Sequence, residues 1–371
     1  MTAIETSARA EPGIELDMEL LNGFAQQVGG MLGGAATTAM MAVGDALGLY
    51  PAMAHAGPVT SAQLAAATDT HERYVREWLA QQVSAGLVTY EADAETYMLP
   101  PEHAAVLATD DSPASMVSLS LLVKGLFLGL DGVADAFRSG DGVSWGEQDQ
   151  SIFDATERFF GVGYRANLVS DWIPAADGVA EKLHQGAAVA DIGCGHGSAT
   201  ILLAEAFPLS RFVGYDVHGP SVETARKRAA QAGVSDRVRF EEKSSHGYPQ
   251  DGYDLVCFFD SLHDLGDPVG AAAHARSALA PGGSLLLVEP MAFDGLAANL
   301  ANPMAVLYYA ASTILCTPNS LSQPVGLGLG TQAGEKRLAE VLGEAGLGEV
   351  RRVAENQLNM VLQARVSPNP G

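Results

Sequence analysis

Three glycines within five residues, Gly193, Gly195 and Gly197, interrupt the stretch VADIGCGHGSAT, residues 189–200, between an apolar run and a helical one. Glycine at such a turn lets the backbone take positive φ and approach a ligand with no Cβ in the way, while the helix start that follows offers free N–H groups to an anion. A turn made tight for its own sake is the other reading of the same residues. Two details narrow the choice. A dinucleotide fingerprint wants its third glycine at position 198, where this chain has Ser198, so the GxGxG spacing argues against a pyrophosphate. Asp216 follows Gly197 by 19 residues, at the close of the next apolar segment, where a carboxylate accepts both hydroxyls of a ribose. An adenosine moiety is implied.

Two further groups suit proton transfer. His263, within SLHDLGDP, is of the one side-chain type whose unperturbed pKa lies near neutrality, and Asp264 or Asp267 could orient it. Glu289 closes the apolar run GSLLLVEP. His196, inside the glycine turn, reads as a backbone spacer, and His218 as an edge of the cleft or a surface group. The three cysteines, Cys194, Cys257 and Cys316, are odd in number, far apart and free of CxxC spacing, so neither a disulfide framework nor a zinc site is suggested. No metal is expected, and a reducing cytoplasm fits.

The elements that position these residues show in the pattern from residue 187. The strands AAVADIG, RFVGYDV, RVRFEEK, YDLVCFFDS and GSLLLVEP alternate with the helices SATILLAEAF, SVETARKRAAQAG and PVGAAAHARSALA. Strands this apolar, each followed by an amphipathic helix, belong to a parallel sheet covered on both faces. Helix GEKRLAEVLGEAGL leads to EVRRVAEN and NMVLQARV, which so short a connection pairs antiparallel. In such sheets the ligand sits beyond the carboxyl ends of the strands, where the strand order reverses.

Ahead of this pattern, residues 20–108 read as helical: an apolar small-residue helix, a capped TSAQLAAAT, and HERYVREWLAQQVSAGL with Tyr74, Trp78, Leu79, Val83 and Leu87 near helical spacing. VTYEADAETYMLPP reads as a hairpin, and the order suggests a winged helix. Its third helix carries Glu72, Arg73, Arg76 and Glu77, which nearly cancel, so a dimerising or substrate-covering module fits better than a DNA reader. The 371 residues have room for about two domains. A net charge of −23 repels nucleic acid and anionic membranes. Acids at the amino terminus imply no export signal, and the longest apolar run, residues 305–316, falls short of the ~20 residues that cross a bilayer.

In order and spacing, VADIGCGHG, VGYDV, RVRFEEKSS, YDLVCFFDSLHDLGDP and LAPGGSLLLVEP resemble the successive motifs of class I S-adenosylmethionine-dependent methyltransferases. The resemblance implies a Rossmann-like α/β fold, with a seven-stranded sheet of order 3-2-1-4-5-7-6 behind an N-terminal, mostly α winged-helix domain. It further implies a homodimer, as in bacterial small-molecule methyltransferases that dimerise through that domain. The expected division is a tail at 1–19, the winged helix at 20–108, a helical linker and substrate-covering region at 109–180, and the methyltransferase domain at 181–371 with an insertion at 291–330.

By the same resemblance Asp191, Gly193, Gly195 and Gly197 bracket the methionine part of the cofactor, Asp216 takes the ribose and Val217 touches the adenine. Ser244 and Ser245 stand where an adenine-binding Asp is usual. Phe259 and Asp260 lie beside the cofactor, and Tyr164 either reaches its carboxylate or serves structure. SLHDLGDP resembles the LHDW-type segment of O-methyltransferases, which makes His263 the base for a hydroxyl acceptor or, alternatively, a packed loop-base group; Leu265 replaces the Trp of that segment, and Gly266 loosens the turn. Glu289 is the second candidate base, or a solvated strand end. The insertion's apolar helix, with Phe159, Phe160, Tyr308 and Tyr309, favours an aromatic or lipophilic small acceptor methylated at oxygen. Transfer to carbon or nitrogen, and a ligand-sensing winged-helix regulator, are the alternatives.

Overall fold

In the computed structural model residues 16–366 are described. The expected tail falls mostly outside them, and the first helix opens at Met18. The chain divides between residues 124 and 125 into two compact units. The helical region expected at 109–180 straddles that division.

The first unit runs α1 (Met18–Ala46), α2 (Leu49–Ala54), α3 (Ser61–Ala67), α4 (Glu72–Ser84), the hairpin β1 (Thr89–Glu91) and β2 (Thr96–Met98), and α5 (Pro101–Leu107). The apolar run expected as one helix breaks at Gly48, whose φ of +66° ends α1 before α2 restarts. A capping box between Thr60 and Gln63 opens α3. The buried stripe of α4 is Val75, Trp78, Leu79 and Gln82. Tyr74, expected on that face, is instead 79% exposed, because steps of three and four from Val75 define the stripe and leave position 74 outside it. Trp78 donates to the Met40 carbonyl and Tyr50 to Gln82. The charges on α4 pair with one another, Arg73 with Glu77 and Arg76 with Glu72, and present no basic stripe.

After α6 (Leu119–Leu128), within which the division falls, the second unit carries α7 (Leu130–Ser139), α8 (Gln150–Asn167), α9 (Ile173–Ala175) and α10 (Val179–Gln185). Then come β3 (Ala188–Ile192), α11 (Ser198–Ala206), β4 (Arg211–Asp216), α12 (Gly219–Gln231), β5 (Val238–Glu242), β6 (Tyr253–Phe259), α13 (Pro268–Ala278) and β7 (Leu279–Pro290). Short helices α14 (Leu296–Asn299), α15 (Ala305–Ala311) and α16 (Thr317–Leu321) follow, and α17 (Gly334–Glu344), β8 (Leu347–Glu355) and β9 (Asn359–Val366) close the chain. The seven-stranded sheet has the order β5-β4-β3-β6-β7-β9-β8, which is 3-2-1-4-5-7-6 when its strands are counted in sequence. The first five strands pair in parallel, and β9 runs antiparallel to both β7 and β8.

Successive side chains of a strand point to opposite faces, and here both faces are buried. Leu255, Cys257 and Phe259 of β6 join Leu286 and Val288 of β7 in a core covered by α8, α10, α11 and α12. Val256, Phe258, Leu285 and Leu287 face α13 and α17. This explains why the central strands are continuously apolar and why the polar residues that end them are confined to their carboxyl edge.

Candidate active site

Strand β3 pairs with β4 on one side and β6 on the other, so the order reverses at its carboxyl end. The glycine turn lies there, and the three glycines differ in what they need. A Cβ at Gly193 would stand 2.6 Å from Cβ of Ser261, and one at Gly197 2.6 Å from the Phe240 ring, whereas one at Gly195 meets nothing within 4 Å. All three have positive φ. Internal packing requires two of them, and only Gly195 bares its backbone to open space.

Asp216, at the end of β4, accepts the N–H of Gly195 at 2.9 Å on one oxygen and that of His218 at 2.8 Å on the other. Burial raises its pKa against the pull of those two donors. Asp191 is buried; Oδ2 accepts from Thr200 at 2.5 Å, and Oδ1 has no partner. Burial pushes its carboxyl up to about 7, a rise that Thr200 opposes and Asp216 reinforces. Val217 is 62% exposed, while the His218 ring stacks on Phe153 with centroids 4.6 Å apart.

At the end of β5, Ser244 is exposed and Ser245 half-buried. The Ser245 hydroxyl meets Nδ1 of His246 at 3.1 Å, and Nε2 of that ring faces Asp267 at 3.4 Å. Asp267 also caps α13 through the N–H of Gly270 at 2.8 Å. Its place beside His246 and at a helix start corrects the expectation that it could orient His263.

At the end of β6 the chain turns sharply. Asp260 sits at φ +51°, accepting from the Tyr164 hydroxyl at 2.7 Å and from the Asn359 amide at 2.8 Å. Burial, with the nearby charge of Glu289, pushes its carboxyl up to about 8. The single proton of Tyr164 is thus directed at Asp260, and its ring packs against Phe259 and Trp172. Phe160 stacks on Tyr164, and Phe159 is buried. Tyr308 is buried with its hydroxyl on the Leu358 carbonyl, and Tyr309 is half-buried.

His263 and Glu289, expected as alternatives, form one pair. A 3₁₀ turn at Leu262–Asp264 buries the histidine to 4% exposure. Nδ1 of His263 bonds Oε2 of Glu289, whose other oxygen accepts the N–H groups of Leu262 at 3.0 Å and His263 at 3.3 Å. At 2% exposure Glu289 is no solvated strand end. Nε2 of His263 faces Asp264 at 3.3 Å, and the sulfur of Cys316 lies within 4.8 Å of the pair. Burial pulls the imidazole pKa down, but Glu289 and Asp264 outweigh it and hold the pKa well above the usual histidine range.

Several contacts had no local signal. Glu157 of α8 takes bonds from Ser198 and Arg228, and Arg228 also reaches the His196 carbonyl, clamping the start of α11. Residues 317–330 are stitched to the loop after β6 through its main chain. Asn319 donates to the Asp264 carbonyl at 3.0 Å, Ser320 to that of Leu265 at 2.8 Å, and the N–H of Leu327 to that of Gly266 at 2.9 Å. Cys316 closes a π turn, Ser312–Cys316, ahead of them.

Residues 35–109 match the Rv2258c-like winged HTH domain, and residues 190–285 match a methyltransferase domain. The chain is 36% identical over 145 residues to the 27-O-demethylrifamycin SV methyltransferase of Amycolatopsis mediterranei (strain S699), a match covering 38% of this chain and 48% of that protein. It thus spans about half the length of that relative, and 24% and 39% of two others. Among solved structures, the mitomycin 7-O-methyltransferase MmcR is similar at TM-score 0.68 and 20% identity, covering 94% of this chain and 100% of that one. Human N-acetylserotonin methyltransferase, in complex with SAM, is similar at TM-score 0.68 and 19% identity, covering 97% and 100%. At such identities the likeness shows the fold. No helix among the described residues is long and apolar enough to cross a membrane.

Proposed function

Because the chain joins a winged-helix domain to a methyltransferase domain, we propose that it transfers a methyl group from S-adenosylmethionine to a hydroxyl of a small aromatic or lipophilic metabolite. The observation that carries the reading is the buried His263–Glu289 pair, two residues beyond the Ser261 that packs on the glycine turn.

The residues present fit the cofactor. Gly195 leaves open space above bare backbone, Asp216 braces that backbone, and the unpartnered Oδ1 of Asp191 suits an ammonium group. Asp191 and Gly193–Gly197 would hold the methionine part, Asp216 the ribose, and Val217 with Ser244 and Ser245 the adenine side, with Phe259 and Asp260 alongside. Tyr164 would act through Asp260. When bound, the cofactor supplies an electrophilic methyl on a sulfonium.

Glu289 fixes the Nδ1 proton of His263 and so leaves Nε2 to take the acceptor's hydroxyl proton, a contribution of about 10²–10⁴ in rate. The two carboxylates that raise the ring's pKa also stabilise the imidazolium formed. Residues 291–330, of which 317–330 are stitched over the loop, would cover the acceptor. The 27-O-demethylrifamycin SV methyltransferase, which by its name acts on an oxygen, supports this choice of atom.

A metabolite-pool screen with isotopically labelled methyl donor tests the proposal. Mass spectrometry should find the label on an oxygen of one compound; label on carbon or nitrogen would overturn the acceptor atom, and no transfer the activity. We also propose a cytoplasmic homodimer formed through α1, where Leu20, Phe24, Met31 and Leu32 are 62–72% exposed. Light scattering should give twice the chain mass, and Phe24→Asp should give monomers.

A further inference from the structure

We propose that His263, Asp264 and Cys316 form a binding site for a zinc-class divalent cation, with three protein ligands and a fourth position open to a small oxygen ligand. They come from two segments far apart in the chain, His263 and Asp264 from the 3₁₀ turn after β6 and Cys316 from the π turn of the insertion. One nitrogen, one carboxylate oxygen and one sulfur lie within 4.8 Å of one another.

The spacing suits the ion. Zinc takes nitrogen at about 2.0–2.1 Å and oxygen at about 2.0–2.2 Å around a tetrahedron, which sets bound nitrogen and oxygen about 3.3 Å apart. Nε2 of His263 and Oδ1 of Asp264 stand 3.3 Å apart. That oxygen is also shielded from water and receives no hydrogen bond, a cost that a cation would relieve.

The far side of the imidazole is arranged as in a metal-bound histidine. Its Nδ1 is held by the Glu289 carboxylate, and such a partner fixes the tautomer that turns the Nε2 lone pair to the ion. Sulfur and imidazole ligands select zinc or cobalt over magnesium or calcium. On binding, three metal–ligand bonds form, and the thiol proton of Cys316, with any proton on Nε2, leaves to solvent. One thiolate and one carboxylate then balance the dication. If Nε2 is the base, as proposed above, the bound cation occupies its lone pair, and the same ion inhibits turnover.

Cobalt(II) added to the full, chelator-stripped chain tests the site without donor or acceptor. The expected result is saturation at one equivalent, with a thiolate-to-cobalt charge-transfer band and tetrahedral visible bands, displaced by zinc. Cys316→Ala should abolish the charge-transfer band, and Asp264→Asn should weaken cobalt binding at least tenfold, with far-UV circular dichroism showing both folded. A wild-type chain without a saturable band, or a folded Cys316→Ala variant that keeps it, would overturn the site. The readout is optical, so its failure leaves the base role of His263 standing, and loss of that role leaves the spectrum unchanged as a measure of the site.

Discussion

The hydroxyl of Tyr164 donates to Asp260 across 2.7 Å and so ties helix α8 to the end of strand β6. Asn359 holds the other oxygen, so two neutral donors steady a buried carboxyl group at a left-handed backbone position. Tyr164→Phe removes one donor from a buried acceptor. The expected cost is about 1–3 kcal/mol of folding stability in urea denaturation, together with weaker S-adenosylhomocysteine binding by calorimetry. Wild-type values in both would detach the pair from the site.

Replacing the proposed base separates binding from chemistry. His263→Ala should bind S-adenosylhomocysteine as the wild type does yet lose about 10²–10⁴-fold in turnover of a hydroxyl acceptor. Unchanged turnover would remove the histidine from proton transfer.

The pH dependence has a definite sign. The neutral ring is the base, and Glu289 and Asp264 hold the pKa of His263 high, so turnover should climb as pH rises above neutrality. Glu289→Gln removes a negative charge, which lowers that pKa and moves the rising limb to lower pH. The plateau should fall by about 10²–10⁴-fold as the ring loses its orienting partner. An unmoved limb in a folded variant would contradict the coupling.

Asp191 should make the ligand-free chain less stable as pH rises. Its folded carboxyl lies at about 7 against an ordinary 3.8, so the native state holds a proton that the unfolded chain releases first, and stability falls between those values. Asp191→Asn should flatten the slope and raise stability at pH 8 by on the order of 2–4 kcal/mol, while weakening donor binding. Asp260, pushed up to about 8, leaves a residual slope of the same sign. Thermal melts at pH 5 and pH 8 decide it.

The three glycines should respond differently to one methyl group. Gly195→Ala costs about 1 kcal/mol for its left-handed backbone and should mainly impair cofactor binding. Gly193→Ala and Gly197→Ala add overlap with Ser261 and Phe240, so about 1–3 kcal/mol more is lost in melts. Equal losses at all three would mean that position 195 is as packed as the others.

What could be read from the chain in advance was local or periodic. Apolar runs named the strands of the sheet, the short connection before Asn359 made β8 and β9 antiparallel, and the spacing of Gly197 and Asp216 brought the turn and its carboxylate together. Contacts between distant segments carried no such mark. Nothing near Glu289 says that its oxygens bind the loop of His263, and no spacing joins Cys316 to Asp264 or Glu157 to Arg228. Those meetings depend on which strand ends become neighbours, a property of the folded sheet. Tyr74 was misread because a helix offers two nearly equivalent stripes, and only packing chooses between them.

The stitches from residues 317–330 end mainly on carbonyl and amide groups of the loop after β6. Such anchors do not depend on which side chains the loop carries. If this segment faces the acceptor, as proposed, substitutions away from the anchoring side chains Asn319, Ser320 and Gln323 leave its seat over the histidine intact, so one scaffold can be passed among many metabolites while its proton chemistry stays fixed.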